Sequence, residues 1–267
     1  MNSSTATRAS VARADGWVVA PPRPDPPAVR LFCLPYVGGA ASVYAAWDGA
    51  FGEHVEVCPI ELPGHWARLR ETAFTGLDPL VDALASALVD ELDVPYALFG
   101  HSMGSLLAFE LARELRRRHA REPVALFVSG GQGPRLPRRR PPLHDASDEQ
   151  IVARLRAIGG LPDEISEEPE LLRRVMPTLR ADFAVCETYE YRAGRPLDCP
   201  VVAFAGRDDH EVPPARVASW LEETTGRFDY HVLPGGHFFV RTEQAAVFDM
   251  IQGRLSGTVR SAGRHAS

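Results

Sequence analysis

The sequence is short of cysteine and of long apolar runs, and acidic residues outnumber basic ones. Its 4 cysteines form neither a Cys-x-x-Cys pair nor a cluster with histidine, so it predicts neither a zinc site nor a disulfide framework. No uncharged segment reaches the roughly 18 residues that a transmembrane helix needs. Residues 1–20 lack the apolar stretch of a signal peptide. We therefore expect a cytoplasmic protein with reduced thiols and no membrane partner.

Charge and size narrow the classes further. Lys and Arg number 29 against 35 Asp and Glu, which gives a formal net charge of −6. This is the wrong sign for a protein that binds phosphate backbones generally, so we expect no nucleic acid partner. With 267 residues, 45% of them hydrophobic, the chain can bury a sufficient core without a metal or a disulfide.

Short apolar runs alternate with segments of helical periodicity. The predicted strands are Val29–Leu34, Val55–Ile60, Tyr96–Gly100, Val124–Ser129, Val201–Ala205 and Phe228–Leu233. The predicted helices are Ser42–Phe51, Asp78–Leu92, Gly104–Arg118, Ala215–Thr224 and Thr242–Leu255. Alternation at this spacing predicts an α/β fold, a mainly parallel sheet sandwiched by helices.

The ends of the chain differ from its middle. Residues 20–28 are rich in proline, so residues 1–28 are predicted to form an extended arm, with Trp17 as its anchor. The folded α/β domain is predicted to span residues 29–255. Residues 256–267 have no apolar periodicity and are predicted to be a disordered tail.

One long segment, residues 134–199, interrupts the alternation. It begins with a run of proline and arginine and continues with amphipathic patterns at Asp148–Ile158 and Pro169–Tyr189. Ser147 and Gln150 have the spacing of a capping box at the start of the first helix. Helical insertions at the rim of an α/β sheet often cover active sites. We therefore predict a helical lid.

The sequence Gly100-His101-Ser102-Met103-Gly104 has the G-x-S-x-G pattern. An apolar strand runs directly into it and a helical pattern runs directly out. A nucleophile elbow requires this setting, because only a sharp turn flanked by glycines holds a serine hydroxyl above the sheet edge. Ser102 is the predicted nucleophile. The alternative is that Ser102 only caps the following helix, in which case the flanking glycines would be unnecessary.

A serine nucleophile needs a base, and in this architecture the chain order is serine, then an acid, then histidine. His237 follows a Pro-Gly-Gly turn at the end of a strand, and it is the predicted base. The rival is His210, an exposed residue if it has no such role. His101 is predicted to pack against the sheet. Five other histidines are assigned to surface or strand positions: His54, His119, His144, His231 and His265.

Two carboxylates compete to orient the base. Asp208 and Asp209 both follow the strand that ends at Gly206. The turn from Gly206 to Pro213 favours Asp209 as the residue aimed at the base, and Asp208 as a solvated or turn-stabilising residue.

Backbone N–H groups usually stabilise the oxyanion of acyl transfer. The residue after the nucleophile, Met103, supplies one. Val37, followed by Gly38 and Gly39 in a loop after the first core strand, is predicted to supply the other. The chain has no G-x-G-x-x-G or GK[ST] pattern, so a nucleotide-binding loop has little support.

Several segments together resemble the type II thioesterases of polyketide and nonribosomal peptide synthetases, which have the α/β-hydrolase fold. The resemblance runs from Trp17 to Leu255 and rests on LFCLPYVGGAAS, ELPGH, GHSMGSLLAFELA, LRADF and LPGGHFF. It implies a triad of Ser102, Asp209 and His237, oxyanion donors at Val37 and Met103, and a lid over Leu143–Tyr191. It also implies hydrolysis of acyl groups from the phosphopantetheine arm of acyl or peptidyl carrier proteins, without a metal or cofactor.

The chain departs from this family at two positions. Val37 stands where a smaller or different residue is common, and His65 stands where the LPG segment usually continues with arginine. Arg135 and Arg138–Arg140 are predicted to face an acidic carrier protein, the alternative being a solvated loop. The triad alone leaves a carboxylesterase or acyltransferase open, and a non-catalytic carrier-protein binder is a further alternative.

Overall fold

The structure, a computed structural model, describes residues 11–21 and 26–263. Its centre is a six-stranded sheet in the order β4-β3-β5-β6-β7-β8. All the neighbouring strands pair in parallel. The strands are β3 Val29–Leu34, β4 Val55–Pro59, β5 Tyr96–His101, β6 Leu126–Ser129, β7 Val201–Gly206 and β8 Phe228–Leu233. The predicted α/β fold with a mainly parallel sheet is confirmed.

The sheet is buried on both faces, and this explains the uninterrupted apolar strands. Every residue of β5, β6 and β7 is buried. Successive side chains point to opposite faces, so Leu98 belongs to one core cluster and Phe99 to the other. The strand β8 lies at the edge and is only half-buried, which accounts for its polar residues.

Helices cover both faces. The helices are α1 Leu77–Leu88, α2 Met103–Arg117, α3 Asp148–Ala157, α4 Asp163–Ser166, α5 Pro169–Glu187, α6 Pro214–Val217, α7 Phe239–Thr242 and α8 Gln244–Gly263. On one face, α1 and α2 supply Leu84 and Leu107 to the core cluster that contains Leu98, the first cluster. On the other face, α8 supplies Ile251 to the cluster that contains Phe99. None of the helices in the described ranges is long and apolar enough to cross a membrane.

Two predicted helices are wound more tightly than an α-helix. The segment predicted at Ser42–Phe51 forms a 3₁₀ helix over Ala41–Trp47. Its buried residues, Ala41, Tyr44 and Trp47, are spaced by three, and a 3₁₀ helix has three residues per turn. The tight winding therefore places all of them on the core face.

The same reasoning applies to the predicted helix Ala215–Thr224. It begins as α6 and continues as a 3₁₀ helix over Ala218–Glu223. The buried residues Trp220 and Glu223 lie one 3₁₀ turn apart. The indole of Trp220 donates a hydrogen bond to the Gly131 carbonyl at 2.8 Å, which ties this segment to the loop after β6.

The chain ends differ from the predictions. Helix α8 does not end near Leu255 but continues to Gly263, because Val259, one turn further on, packs against the core. The described part of the 1–28 arm is a hairpin of β1 Val11–Arg13 and β2 Val18–Ala20, and Trp17 is buried in the core as predicted. The rest of the arm and of the 256–267 tail, residues 1–10, 22–25 and 264–267, lies outside the described residues.

The insertion contains α3, α4 and α5. The predicted capping box is confirmed, with Ser147 accepting from the Gln150 N–H and the Gln150 side chain accepting from the Ser147 N–H. The insertion has an apolar cluster of its own, which includes Leu155, Met176 and Leu179. The insertion therefore has a small core of its own, although Val185 of α5 also packs into the first cluster of the sheet.

We predict that Trp47→Ala destabilises the fold by about 3–5 kcal/mol, since it opens a cavity in the core. Trp47 is 1% exposed, and its ring centroid lies 4.6 Å from that of Phe99 and 5.0 Å from that of Phe248. Urea unfolding measures the change. The matched control is Trp66→Ala at 74% exposure, which should shift stability by less than about 0.5 kcal/mol. Equal losses in both variants would contradict this account of the core.

Candidate active site

Ser102 lies at the sharp turn between β5 and α2. Its backbone has φ 53 and ψ −114, a left-handed conformation that non-glycine residues rarely adopt. A Cβ at Gly100 would lie 1.9 Å from the Gly104 carbonyl oxygen, and a Cβ at Gly104 would lie 2.3 Å from the Leu34 carbonyl oxygen. Both flanking glycines are therefore required for the turn to pack. The Ser102 side chain makes no capping hydrogen bond to α2.

Three side chains from separate loops form a hydrogen-bonded chain. The Nε2 atom of His237 lies 3.0 Å from Ser102 Oγ, and its Nδ1 atom lies 2.8 Å from Asp209 Oδ2. The other oxygen, Asp209 Oδ1, accepts hydrogen bonds from the N–H groups of Glu211 and Val212 at 2.8 and 2.9 Å. The carboxylate is thus fixed on both sides and aimed at the imidazole.

Sheet topology brings these loops together. Ser102 follows β5, Asp209 follows β7 and His237 follows β8. In a parallel sheet the carboxyl ends of all strands lie at one edge, where ligands bind. Asp209 is 2% exposed and contacts the imidazole, whereas Asp208 is exposed. Of the two carboxylates left open by the sequence, the structure brings Asp209 to His237.

The other histidines have different surroundings. The rival base His210 is exposed. His101 is fully buried, with its Nδ1 atom 2.9 Å from Ser129 Oγ and its ring centroid 5.2 Å from that of His237. Burial, reinforced by the neighbouring His237 and Arg241, lowers the pKa of His101 well below its usual range. A neutral ring at this position supports His237 by packing. His144, predicted to lie at the surface, is half-buried, and its Nδ1 lies 2.7 Å from Glu187 Oε2.

The two residues predicted to donate to the oxyanion, Val37 and Met103, lie beside the nucleophile in the same cavity. Met103 is the first residue of α2, a position whose N–H has no partner within the helix. Val37 lies in the loop after β3, and both residues line the same cavity as Ser102. The N–H of the next residue, Gly38, donates instead to Asp182 Oδ2 at 2.7 Å.

A cavity of about 840 Å³ opens above the nucleophile, between the sheet edge and the insertion. Its apolar lining includes Leu106, Leu136, Leu143, Leu155, Ile158, Phe183 and Val212. Arginines line it as well: Arg135, Arg138, Arg139, Arg140 and Arg154. An apolar chamber with polar groups converging at one end is typical of a small-molecule site. Within the described ranges, no three His, Cys, Asp or Glu side chains are grouped as metal ligands.

Two ion pairs that the sequence did not predict connect the lid to the loops of the site. Asp182 on α5 pairs with His65, whose Nε2 lies 2.9 Å from Asp182 Oδ2. Arg154 on α3 pairs with Glu211, two residues after Asp209. Both residues of the first pair lie in segments that carried the resemblance, His65 in ELPGH and Asp182 in LRADF, but nothing in the sequence paired them.

Comparison with known proteins identifies the family. The thioesterase domain family matches residues 29–255. The chain belongs to the thioesterase family. This thioesterase is 40% identical to the gramicidin S biosynthesis protein GrsT of Aneurinibacillus migulanus over 212 residues, which are 79% of this chain and 83% of that protein. The resemblance to type II thioesterases noted from the sequence is confirmed, and the enzyme is a hydrolase acting on thioesters.

Solved structures give the same result. The RedJ thioesterase from the prodiginine pathway of Streptomyces coelicolor superposes with a TM-score of 0.82 at 40% identity, covering 88% of this thioesterase and 96% of RedJ. The type II thioesterase BorB from the borrelidin biosynthetic cluster superposes with a TM-score of 0.84 at 35% identity, covering 92% of this thioesterase and 99% of BorB.

We predict that Gly100→Ala abolishes covalent labelling of the thioesterase by a fluorophosphonate. The added methyl would meet the Gly104 carbonyl, so the turn that presents Ser102 could not form. Gly253→Ala is the control, because a Cβ there meets nothing within 4 Å, and it should label as the wild type does. Full labelling of the Gly100 variant would refute the requirement for glycine at the turn.

Proposed function

We propose that this thioesterase hydrolyses acyl groups from the phosphopantetheine arm of acyl or peptidyl carrier proteins, with Ser102 as nucleophile. The observation that carries the proposal is the hydrogen-bonded chain from Ser102 through His237 to Asp209 at the floor of a covered cavity. Support for the substrate class comes from relatives that belong to the gramicidin S, prodiginine and borrelidin pathways. Clearing misloaded or stalled units is the role this chemistry would serve.

Acylation is the first half of the proposed reaction. The Ser102 Oγ attacks the thioester carbonyl carbon while His237 Nε2 takes the hydroxyl proton. The N–H groups of Val37 and Met103 stabilise the negative oxygen of the tetrahedral intermediate. The C–S bond then breaks, the proton passes from His237 to the departing sulfur, and the carrier leaves as a thiol. An acyl ester on Ser102 remains.

Deacylation follows the same path with water. His237 takes a proton from a water molecule that attacks the acyl carbon, and the second tetrahedral intermediate collapses with transfer of that proton to Ser102 Oγ. A carboxylic acid leaves and the enzyme is regenerated. The carboxylate of Asp209 accepts the hydrogen bond from the Nδ1–H of His237 and so keeps the proton on that nitrogen. The Nε2 atom of His237 is then free to act as the base.

The arginines at the cavity support a carrier protein as the source of the acyl group. Arg135 pairs with Glu223, whereas Arg138 donates to the Cys186 carbonyl and Arg140 to the His210 carbonyl. These three therefore hold the loop in place. Arg139 is exposed and forms no hydrogen bond or ion pair with a residue that the structure describes. This narrows the predicted basic patch to one free guanidinium.

A second cation, Arg216, lies near Arg139. Burial and the nearby charge of Arg139 together lower the pKa of Arg216. Arg139 is an unpaired arginine at the cavity lining with a second cation near it, and this is suited to a phosphate group or to acidic side chains of a docked carrier.

We predict that Ser102→Ala lowers kcat for an acyl-carrier substrate by about 10⁶-fold. Asp209→Asn should lower it by about 10⁴-fold, because the imidazole loses its fixed tautomer. Asp208→Asn, the exposed neighbour, should leave kcat unchanged. Intact-mass spectrometry of loaded carrier proteins follows the loss of the acyl group directly. Hydrolysis that survives in Ser102→Ala would rule out the triad, and comparable losses in the two aspartate variants would rule out Asp209 as the specific partner.

We predict that Arg139→Glu raises KM for acyl-carrier protein about 5-fold or more, as expected for roughly 1 kcal/mol from an exposed charge contact. Its KM for acyl-CoA and for p-nitrophenyl esters should change less. The control Arg260→Glu makes the same charge change on exposed α8 surface outside the cavity and should leave all three constants alone. A higher wild-type kcat/KM for the simple ester than for the carrier would favour a carboxylesterase instead.

A further inference from the structure

The Asp182–His65 pair lies at the seam between the lid and the sheet edge. Asp182 is 3% exposed and His65 is 4% exposed. The same oxygen, Asp182 Oδ2, accepts from His65 Nε2 at 2.9 Å and from the Gly38 N–H at 2.7 Å. One carboxylate from α5 therefore contacts both the loop after β4 and the loop after β3.

The second ring nitrogen of His65 identifies its protonation state. His65 Nδ1 lies 3.2 Å from the Pro63 carbonyl oxygen, and Nε2 faces the Asp182 carboxylate. A carbonyl and a carboxylate only accept hydrogen bonds, so both ring nitrogens must donate for both contacts to be made. A neutral imidazole has only one N–H and would leave one nitrogen lone pair against an acceptor. The geometry therefore requires the doubly protonated, positively charged ring.

The acidic groups near the ring agree with this assignment. They are Asp182 on α5 and Glu61 after β4. Arg68, the cation of the same loop, instead donates to the Glu61 carbonyl and pairs with Glu71. Burial opposes a charge on His65, but the attraction and hydrogen bond of Asp182 and the nearby Glu61 outweigh it, and the pKa of His65 is raised above 6.5.

The loop that Asp182 contacts carries a proposed oxyanion donor. Gly38 is the residue after Val37, and the Gly39 N–H closes the turn by donating to the Tyr36 carbonyl at 2.8 Å. The Gly38 N–H belongs to the peptide group on the carboxyl side of Val37. Holding that peptide at one end and the turn at the other restrains the backbone of Val37 between them, and with it the direction of the Val37 N–H.

We propose that Asp182 and protonated His65 act as positioning residues that align the Val37 N–H for catalysis, so that deprotonation of His65 lowers kcat. The inference rests on the proposed function, because it assigns the loop an oxyanion role. It also makes activity depend on lid position, since Asp182 is withdrawn from Gly38 whenever α5 leaves the sheet edge.

The direction of the pH effect follows from linkage. A group whose pKa is higher in the folded protein contributes its full stabilisation below its ordinary pKa of 6.5. That contribution is lost as the pH rises through the raised value. The pair is therefore intact on the acid side and weakens on the alkaline side, which predicts an alkaline fall in kcat with little change in KM.

Three variants test the proposal. His65→Arg keeps a permanent positive charge with several donors, so it should retain kcat and lose the alkaline fall. His65→Gln has no titratable group and one amide in place of two ring donors, so it should lower kcat about 10-fold at all pH values. That is less than the roughly 10²- to 10³-fold expected for deleting an oxyanion donor outright. Thr178→Val is the matched control, because it removes the 2.7 Å hydrogen bond from Thr178 Oγ1 to the Gly64 carbonyl at the same seam without a charge.

The pH dependence of kcat and KM for a small acyl thioester gives the kinetic result. The Thr178 variant should keep the wild-type profile shape. An alkaline limb unchanged in both His65 variants would overturn the proposal, as would an effect confined to KM.

A readout independent of activity separates this inference from the proposed function. The NMR titration of the His65 ring should give a pKa above 6.5 in the wild type and a lower value in Asp182→Asn. A wild-type ring that is neutral at pH 6 would refute the pair as described, whatever the enzyme hydrolyses. If the wild type hydrolysed the small acyl thioester but no carrier-bound acyl group, the proposed substrate would be refuted. The result of the His65 titration would still stand.

Discussion

The active site depends on one strained residue. Ser102 is held with φ 53, a conformation that costs of the order of 1–3 kcal/mol and persists only where the surrounding structure enforces it. The enforcement comes from buried neighbours: the Ser102 N–H donates to the Ser129 carbonyl at 2.7 Å, and the Ser105 hydroxyl accepts from the Ser129 N–H at 3.1 Å and lies within donating distance of the carbonyls of Gly100 and Ser129, at 2.9 and 3.0 Å. Strand β6 therefore holds the turn of its neighbour β5, and the hydroxyl is presented above the sheet edge without help from the ligand.

The acid and the base of the site are also held in place, whereas the lid above them is packed separately. Asp209 is held by two backbone N–H groups of its own loop, and His237 packs against the neutral, buried ring of His101. The cover over them is attached differently, by a small apolar cluster and by ion pairs at its edges. A rigid floor and a separately packed cover fit the proposed reaction, in which the site admits a long acyl-bearing arm, releases its thiol and then admits water to the acyl ester.

The sequence pattern was sufficient to predict the central strands and the order of the site residues along the chain. The bounds of β3 and β8 agree with the prediction, since an apolar run limited by turn residues specifies a strand. The spacing of Ser102, the acid and His237 along three strands predicted their convergence, because parallel topology fixes where the strands end. The choice between Asp208 and Asp209 needed the structure, as does any pair such as His65 and Asp182, which are 117 residues apart. The extension of α8 was missed because Val259 alone carries the apolar signal of its last turns.

The use of charge at the seam between lid and site has a physical reason. A buried ion pair adds little net stability relative to apolar residues of similar size, because desolvation offsets the attraction. Apolar packing also holds α5 at this edge, since Leu179 lies in the cluster against which Val37 packs. A charged pair differs in that it is directional: Asp182 contacts His65 and the Gly38 N–H at fixed angles, so its hydrogen bonds are either made together or lost together. Arg154 with Glu211 does the same beside Asp209. The lid thus contacts the loop of the proposed oxyanion donor and the loop of the acid through directional polar groups rather than through apolar packing alone.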